Sequence, residues 1–127
     1  MILPNGEFRV VFVAKDYKAS THFYGEVLGL DIHHDWDFGG TDCGAVYHCG
    51  TGLLEVLGAL PGVDYTVPKG TWVSMQVDDV DAAYTHVKEA GVTILEEPQD
   101  YPWGQRIVKI ADPDGLMIWL FAPVAAE

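Results

Sequence analysis

The sequence predicts an α+β fold made of two tandem βαβββ modules, and three observations carry this prediction. Residues 11–30 and 74–92 align as two copies of one pattern, with Asp16 over Asp79 at an offset of 63. In each copy an apolar, alternating segment is followed by an aspartate suited to cap a helix and later by a glycine suited to end it. Strand-like segments bounded by turn residues follow each glycine. The chain is therefore expected to contain one structural unit twice.

The first module covers about residues 1–60. Its predicted elements are a strand over 7–14, a helix from just after Asp16 to about Leu28, a stop at Gly29, and strands over 30–37, 43–50 and 52–59. The helix follows from the spacing of Ala19, Phe23 and Val27, which places three apolar side chains on one face. The strands follow from apolar alternation between turn segments such as FGGTD.

A linker over about 61–70, rich in proline and glycine, leads to the second module over about 71–123. The predicted elements of this module are a strand over 71–77, a helix over 79–90, strands over 92–96 and 105–111, a DPDG turn at 112–115, and a strand over 116–122. Gly29 falls on Gly91 at an offset of 62, which a one-residue indel explains. At 127 residues, the two modules together are predicted to form one domain.

Composition and charge exclude several classes of protein. No apolar run approaches the about 18 residues that a membrane-spanning helix needs, and the N-terminus lacks the pattern of a signal peptide, so a cytoplasmic protein is expected. Seven basic side chains against nineteen acidic ones give a net charge of −12. This charge argues against nucleic acid and anionic membranes as partners, and it either favours a cationic ligand or serves solubility alone. Cys43 and Cys49 suggest no disulfide framework and are expected to be reduced and partly buried.

Three segments carry a resemblance to a known family: DYKASTHFYGEVLGL, the strand containing LLEVLG, and WGQRIVKIADPDGLMIWLFAP near the C-terminus. Together they resemble the vicinal oxygen chelate superfamily, which contains glyoxalase I, extradiol dioxygenases, fosfomycin resistance enzymes and bleomycin resistance proteins. The resemblance implies that each module is a curled mixed sheet, that a concave cleft holds the site, and that the protein is a homodimer. The WGQR segment is most similar to bleomycin or mitomycin resistance proteins, which sequester a drug rather than transform it.

The metal-dependent members of that family place one ligand on the first and last strand of each module. By this resemblance and the repeat, the corresponding positions are Arg9, Glu55, Trp72 and Trp119. Only Glu55 can bind a divalent ion, whereas a catalytic metal needs about three protein ligands, so neither a metal nor another cofactor is expected. The histidines do not replace the missing ligands. His33 and His34 are expected on opposite faces of a strand, His22 and His86 on helices away from the cleft, and His48 either in the cleft or in a core.

The same four positions suggest a binding site instead. Arg9 and Glu55 are expected to form an ion pair, which either fixes the pocket's shape or offers a carboxylate to a ligand amine. Trp72 and Trp119 either stack on a planar ligand or fill the space that the metal site vacated. Aromatic side chains in loops favour recognition, and strand alternation is the only reason to add Tyr47 and Arg106. The predicted ligand-binding set is Arg9, Trp36, Phe38, Tyr47, Glu55, Trp72, Trp103, Arg106 and Trp119.

The function expected from this set is stoichiometric sequestration of a planar aromatic or cationic antibiotic, with no catalytic residue. A metal-free enzyme of isomerase or lyase type is the alternative, with Glu55 as general base and Arg9 holding an oxyanion. A scaffold protein whose cleft binds nothing is a third possibility. The sequence leaves open whether the modules pair within one chain or swap between chains.

Overall fold

The computed structural model describes residues 2–124, which divide between Tyr65 and Thr66 into two compact units. In chain order the elements are β1 (Arg9–Val13), α1 (Tyr17–His22), a π-helical turn (Phe23–Val27), β2 (Ile32–Asp37), β3 (Cys43–Cys49), β4 (Gly52–Leu57), β5 (Val73–Gln76), α2 (Val80–Glu89), β6 (Thr93–Tyr101), β7 (Gln105–Ala111) and β8 (Met117–Pro123). This order confirms the predicted α+β fold with βαβββ twice.

The first unit is a four-stranded sheet in the order β1-β4-β3-β2, with β1 and β4 parallel and the other pairs antiparallel. Its helix begins at the predicted cap, where the Asp16 carboxylate accepts a hydrogen bond from the Ala19 amide at 3.1 Å. Tyr24 and Tyr47 are almost fully buried on the side of the sheet that faces this helix. The core of the unit therefore lies between α1, the π-helical turn and one face of the sheet.

The second unit repeats the arrangement, with strand order β5-β8-β7-β6 and a parallel β5–β8 pair. The Asp79 carboxylate caps α2 by accepting from the Ala82 amide at 3.0 Å. In the predicted DPDG turn, the buried Asp112 carboxylate accepts from the Leu116 amide at 2.8 Å. That hydrogen bond satisfies a carboxylate that would otherwise be costly to bury.

The strand registers show that the repeat holds residue by residue. Val11 is paired with Glu55 across β1 and β4, and Ser74 is paired with Trp119 across β5 and β8. These pairs have the offsets of 63 and 64 that the sequence alignment predicts. Glu55 and Trp119 therefore occupy equivalent positions in the two sheets.

The π-helical turn accounts for the one-residue indel. In this turn the Leu28 amide donates to the Phe23 carbonyl five residues earlier, at 2.8 Å, so the turn holds one residue more than an α-helical turn. Gly29 and Gly91 follow the two helices with φ of 74° and 81°, left-handed values that favour glycine. The first module is longer at this point because its helix widens.

Several strand boundaries differ from the sequence prediction, and two of the differences bear on the site. β6 continues to Tyr101 although it contains Pro98, because it is an edge strand and its register shifts on either side of Glu96. β5 begins at Val73, so Trp72 lies just before the strand rather than within it.

Candidate functional site

Each sheet has a distal face, which we define as the face opposite the helix of its own unit. In the first unit Glu55 lies on this face, and Val11 and Val46 are its register partners. Alternation along β3 then places Gly44 and His48 on the same face, since each is two residues from Val46. Tyr47, by contrast, is directed at the helix.

Arg9 and Glu55 form the predicted ion pair on this distal face. The Arg9 guanidinium donates to Glu55 Oε1 at 2.7 Å and to Glu7 Oε1 at 2.7 Å. Hydrogen bonds to Glu55 first and Glu7 second raise the pKa of Arg9 above its ordinary value. The Glu55 side chain is 15 % exposed and that of Arg9 is 34 % exposed, so the pair lies at the surface of the sheet rather than within a core.

Trp36 lies on the distal face at the opposite edge of the first sheet. It is paired in register with Gly44, and its indole covers the position that a side chain at Gly44 would occupy. The His34 ring stacks on it with centroids 5.7 Å apart. Phe38, in the turn that follows β2, is 79 % exposed. Trp36 is therefore held in place, and Phe38 is accessible.

An array of side chains crosses the second unit, and we call it the aromatic ladder. Its members are Trp72, Trp119, Lys109, Tyr101 and Trp103. The Trp72 and Trp119 rings stack with centroids 4.7 Å apart and planes at 25°. The Lys109 ammonium lies 4.6 Å from the Trp119 ring centroid and 5.0 Å from that of Tyr101. Tyr101 then stacks on Trp103 with centroids 4.6 Å apart.

The ends of the ladder are open and its middle is covered. Trp103 is 60 % exposed and Trp72 is 41 % exposed, whereas the Trp119 Nε1 is buried and has no hydrogen-bond partner among residues 2–124. Glu96 balances the central charge, lying 3.6 Å from the Lys109 ammonium and accepting a hydrogen bond from the Tyr101 hydroxyl. The accessible ring faces are those of the two outer tryptophans.

Sequence reasoning missed Lys109 and Tyr101. Lys109 is paired in register with Trp119 across β7 and β8, and with Glu96 across β6 and β7. Only knowledge of these registers places it between the rings. Tyr101 carried a weak signal, because it stands two residues from Trp103 in the sequence.

Two predicted site residues lie on the helix side of their sheets instead of the distal face. Tyr47 is 2 % exposed, and its hydroxyl donates to the Thr21 carbonyl in α1 at 3.4 Å. Arg106 pairs with Asp81 of α2 at 2.8 Å and with Asp100 at 3.1 Å, and these hydrogen bonds raise its pKa. The placement expected from strand alternation is wrong for both residues, and we leave them out of the site.

The expectation that His33 and His34 point to opposite faces is also wrong. The register shifts between Ile32 and His34, so the alternation is interrupted there. His34 stacks on Trp36, while the His33 ring contacts that of His48, and all of these rings lie on the distal face. His48, whose position the sequence left open, is exposed there.

The four positions equivalent to the family's metal ligands do not fit a metal. Arg9 and the two indoles of Trp72 and Trp119 offer no lone pair to a cation, and Glu55 is held by Arg9. Among residues 2–124, no group of three or more His, Cys, Asp or Glu side chains is placed to hold one ion.

No helix in the described part of the chain has the length and apolar character needed to cross a membrane.

A cavity of about 440 Å³ lies beside α1 and the β2–β3 hairpin of the first unit, and sequence reasoning did not find it. It is lined by Tyr17, Lys18, Thr21, Asp35, Trp36, Asp37, Gly40 and Cys43. Burial, together with the charges of nearby groups, raises the pKa of Tyr17 to about 12. Burial raises the pKa of the Cys43 thiol, and the charges of Asp37 and Asp42 raise it further. Neither Cys43 nor Cys49 is in a disulfide.

Two βαβββ units of matching register, each with its helix on one face of a mixed sheet, define the glyoxalase-type fold. The sequence agrees: residues 8–120 match the Glyoxalase/Bleomycin resistance protein/Dioxygenase superfamily, and the chain belongs to this family. None of the curated proteins matches it significantly.

Solved structures of the same fold span nearly the whole chain. TnmS3, an antibiotic binding protein from Streptomyces sp. CB03234, is 25 % identical with a TM-score of 0.75, covering 97 % of this chain and 99 % of that one. A superfamily member from Sphaerobacter thermophilus DSM 20745 is 26 % identical with a TM-score of 0.73, covering 94 % and 98 %. TioX from Micromonospora sp. ML1, at 22 % identity and a TM-score of 0.73, covers 94 % and 100 % and shares the fold.

Proposed function

We propose that this protein binds a planar aromatic or cationic antibiotic and removes it from solution stoichiometrically, without transforming it. The observation that carries the proposal is the aromatic ladder, in which Trp72 stacks on Trp119 and Lys109 lies over the Trp119 ring. By the family resemblance, Trp72 and Trp119 are at two of the four positions that hold metal ligands in metal-dependent relatives. The similarity to the antibiotic binding protein TnmS3, at 25 % identity over nearly the full length, supports an antibiotic as the ligand.

The ladder offers ring faces at both ends. A planar ligand stacks on the accessible face of Trp72 or Trp103, and each such contact contributes about 0.5–1.5 kcal/mol beyond the area it buries. Because Trp72 is stacked on Trp119 and Trp103 on Tyr101, little side-chain entropy is lost when the ligand binds to the outer rings. Protection against a drug at micromolar concentration needs about −8 kcal/mol of binding free energy, which stacking alone does not supply.

The negative charge of the protein contributes further to the binding free energy of a cationic ligand. The net charge of −12 attracts a cationic ligand at long range. In the first unit, Arg9 is shared by two carboxylates, Glu7 and Glu55, so this group of three carries a net negative charge. We propose Arg9, Trp36, Phe38 and Glu55 as the ligand contacts of the first unit, and Trp72, Trp103 and Trp119 as those of the second.

The proposed binding does not depend on a metal. The donor set at the four equivalent positions has a single carboxylate, already hydrogen-bonded to a guanidinium. That contact also weakens the alternative in which Glu55 is a general base, because the Oε1 lone pair that would accept a proton is engaged by Arg9 at 2.7 Å. We therefore keep the enzyme as the alternative that the experiment must exclude.

The test is a tryptophan-fluorescence titration in excess EDTA, with a panel from cationic glycopeptide antibiotics to flat aromatic ones. We expect saturable quenching at micromolar or lower concentration, at a fixed ligand-to-chain ratio. The bound compound is then extracted and compared with the starting material by mass spectrometry and chromatography. Chemical conversion would favour the enzyme, and no response across the panel would contradict antibiotic binding.

A homodimer remains part of the proposal, since the family resemblance implies one. Light scattering coupled to size-exclusion chromatography measures the mass directly, with and without the ligand. A mass of 13.9 kDa at all protein concentrations would mean a monomer and would remove this element of the proposal.

A further inference from the structure

His33 and His48 face each other across the β2–β3 pair on the distal face of the first unit. His33 Nδ1 and His48 Nε2 are 3.3 Å apart, and the rings are nearly perpendicular, at 82°, with centroids 4.8 Å apart. Both residues are exposed to solvent. Two ring nitrogens from neighbouring strands therefore face each other at hydrogen-bond distance.

The backbone holds the two rings in this arrangement. The register shift between Ile32 and His34 moves His33 onto the face of His48. The His48 amide donates to the Asp31 carbonyl at 2.8 Å, which fixes the strands to each other beside the pair. His34 is held separately by its stack on Trp36, so the pair consists of His33 and His48.

The spacing matches the requirement of a metal ion. Zinc binds imidazole nitrogen at about 2.0–2.1 Å in tetrahedral geometry, which places two nitrogens on one ion about 3.3–3.4 Å apart. Imidazole suits zinc, copper and nickel, and affinity for a given nitrogen site is highest for Cu²⁺. The excess negative charge of the chain raises the local concentration of any cation.

We propose that His33 and His48 form a two-histidine site for a divalent transition-metal ion, with Cu²⁺ bound most tightly and Ni²⁺ and Zn²⁺ less so. Both facing nitrogens coordinate through their lone pairs, so the ring that now donates in the His33–His48 hydrogen bond carries its proton on its other nitrogen instead. Water completes the coordination sphere. Coordination uses none of the side chains of Arg9, Glu55, Trp72 and Trp119, and the proposed antibiotic binding does not require the ion.

Among residues 2–124, no third His, Cys, Asp or Glu side chain is placed to join His33 and His48 in binding the ion. The ion is therefore exchangeable, and a chelator removes it. This property separates the site from a permanent structural metal. It also means that binding must be measured by adding the ion to stripped protein rather than by analysing the purified protein.

The experiment adds Cu²⁺ to the full chain after EDTA treatment and buffer exchange, and follows binding by calorimetry and by electron paramagnetic resonance. We expect one Cu²⁺ per chain with two nitrogen ligands in the spectrum. His33→Ala and His48→Ala are each expected to weaken binding by about tenfold or more, while His86→Ala in α2 is the matched control and retains it. Circular dichroism of each variant verifies the fold.

Equal Cu²⁺ affinity of wild type and His48→Ala would overturn the proposal, as would an equal loss in His86→Ala. His48→Gln, which keeps a polar side chain at the position, provides a second variant if His48→Ala does not fold. Because the antibiotic titration is done in excess EDTA, the outcome of either experiment leaves the other unaffected.

Discussion

The indole of Trp36 lies across Gly44 on the neighbouring strand, in the space that any side chain at position 44 would fill. A Cβ on Gly44 would lie 2.3 Å from Cζ2 and 2.4 Å from Cη2 of the ring. The absence of a side chain at Gly44 therefore lets Trp36 lie flat on the sheet, with His34 stacked beside it. Glycine at this position sets the orientation of a proposed ligand contact.

Gly44→Ala is expected to displace the Trp36 ring and to lower the free energy of unfolding by about 1–3 kcal/mol, the usual cost of overpacking. Urea denaturation and the emission wavelength of tryptophan measure the two effects. Gly6→Ala is the matched control, because nothing lies within 4 Å of a Cβ there. If Gly44→Ala unfolds like the control, Trp36 does not cover Gly44. Trp36→Leu in the Gly44→Ala background is expected to restore part of the stability.

Trp119→Ala is expected to weaken antibiotic binding by well over tenfold, because Trp72 loses its stacking partner and Lys109 loses one of its two rings. Trp119→Phe keeps an aromatic face and is expected to retain most of the affinity. Fluorescence or calorimetric titration measures the change, with circular dichroism and light scattering on each variant. Leu95→Ala, which removes an exposed apolar side chain of the same sheet, is the control. Unchanged affinity in Trp119→Ala would remove this residue from the site.

Lys109→Met is expected to destabilise the second unit by about 1–2 kcal/mol, since the ammonium contacts two aromatic rings and is largely removed from water. Methionine matches the length of lysine without its charge, and Lys109→Arg keeps the charge and is expected to be close to wild type. Chemical denaturation of the three proteins measures the difference. A Lys109→Met protein as stable as Lys109→Arg would show that the charge does not hold the ladder.

Substitutions in the Arg9–Glu55 pair distinguish a ligand contact from a structural one. For a cationic ligand, Glu55→Gln is expected to weaken binding severalfold and Arg9→Gln to strengthen it, because the two changes alter the local charge in opposite directions. Both effects are expected to shrink as salt is added. Titrations at low and high salt measure this. Equal losses in both variants, independent of salt, would mean that the pair only shapes the surface.

Tyr17 is expected to make the stability of the protein depend on alkaline pH. In the unfolded chain the phenol has its ordinary pKa of about 10. In the folded protein its pKa is about 12. Between these values the unfolded chain binds fewer protons, so the free energy of unfolding falls as the pH rises. Tyr17→Phe is expected to make this fall shallower, and Tyr84→Phe serves as control. Identical slopes in Tyr17→Phe and wild type would contradict the raised pKa.

The positions in the fold that the sequence predicted correctly are those that the repeat determines. Equivalent positions in two copies stay equivalent when the strands pair in the same register, which is why Arg9, Glu55 and Trp119 could be placed without coordinates. The Arg9–Glu55 contact followed from that placement and from opposite charge.

Each error has its own local physical cause. In β3 four consecutive residues are buried, so both faces of the strand are apolar or small and alternation gives no sign of which face Tyr47 takes. In β7 the adjacent Ile107 and Val108 are both buried, so alternation does not assign a face to Arg106, which pairs with Asp81 of α2. The local register shift at His33 has no signature in the sequence that we recognise.

The π-helical turn has a consequence for how the two halves of the chain can differ in length. A residue added inside a strand would invert the facing of every side chain beyond it, and the charged and aromatic positions of that sheet would change sides. A residue added at Phe23–Val27 is absorbed as a wider coil, closed by the hydrogen bond from Leu28 to Phe23. The length of this helix is therefore free to vary while the chemistry displayed on the sheet keeps its orientation.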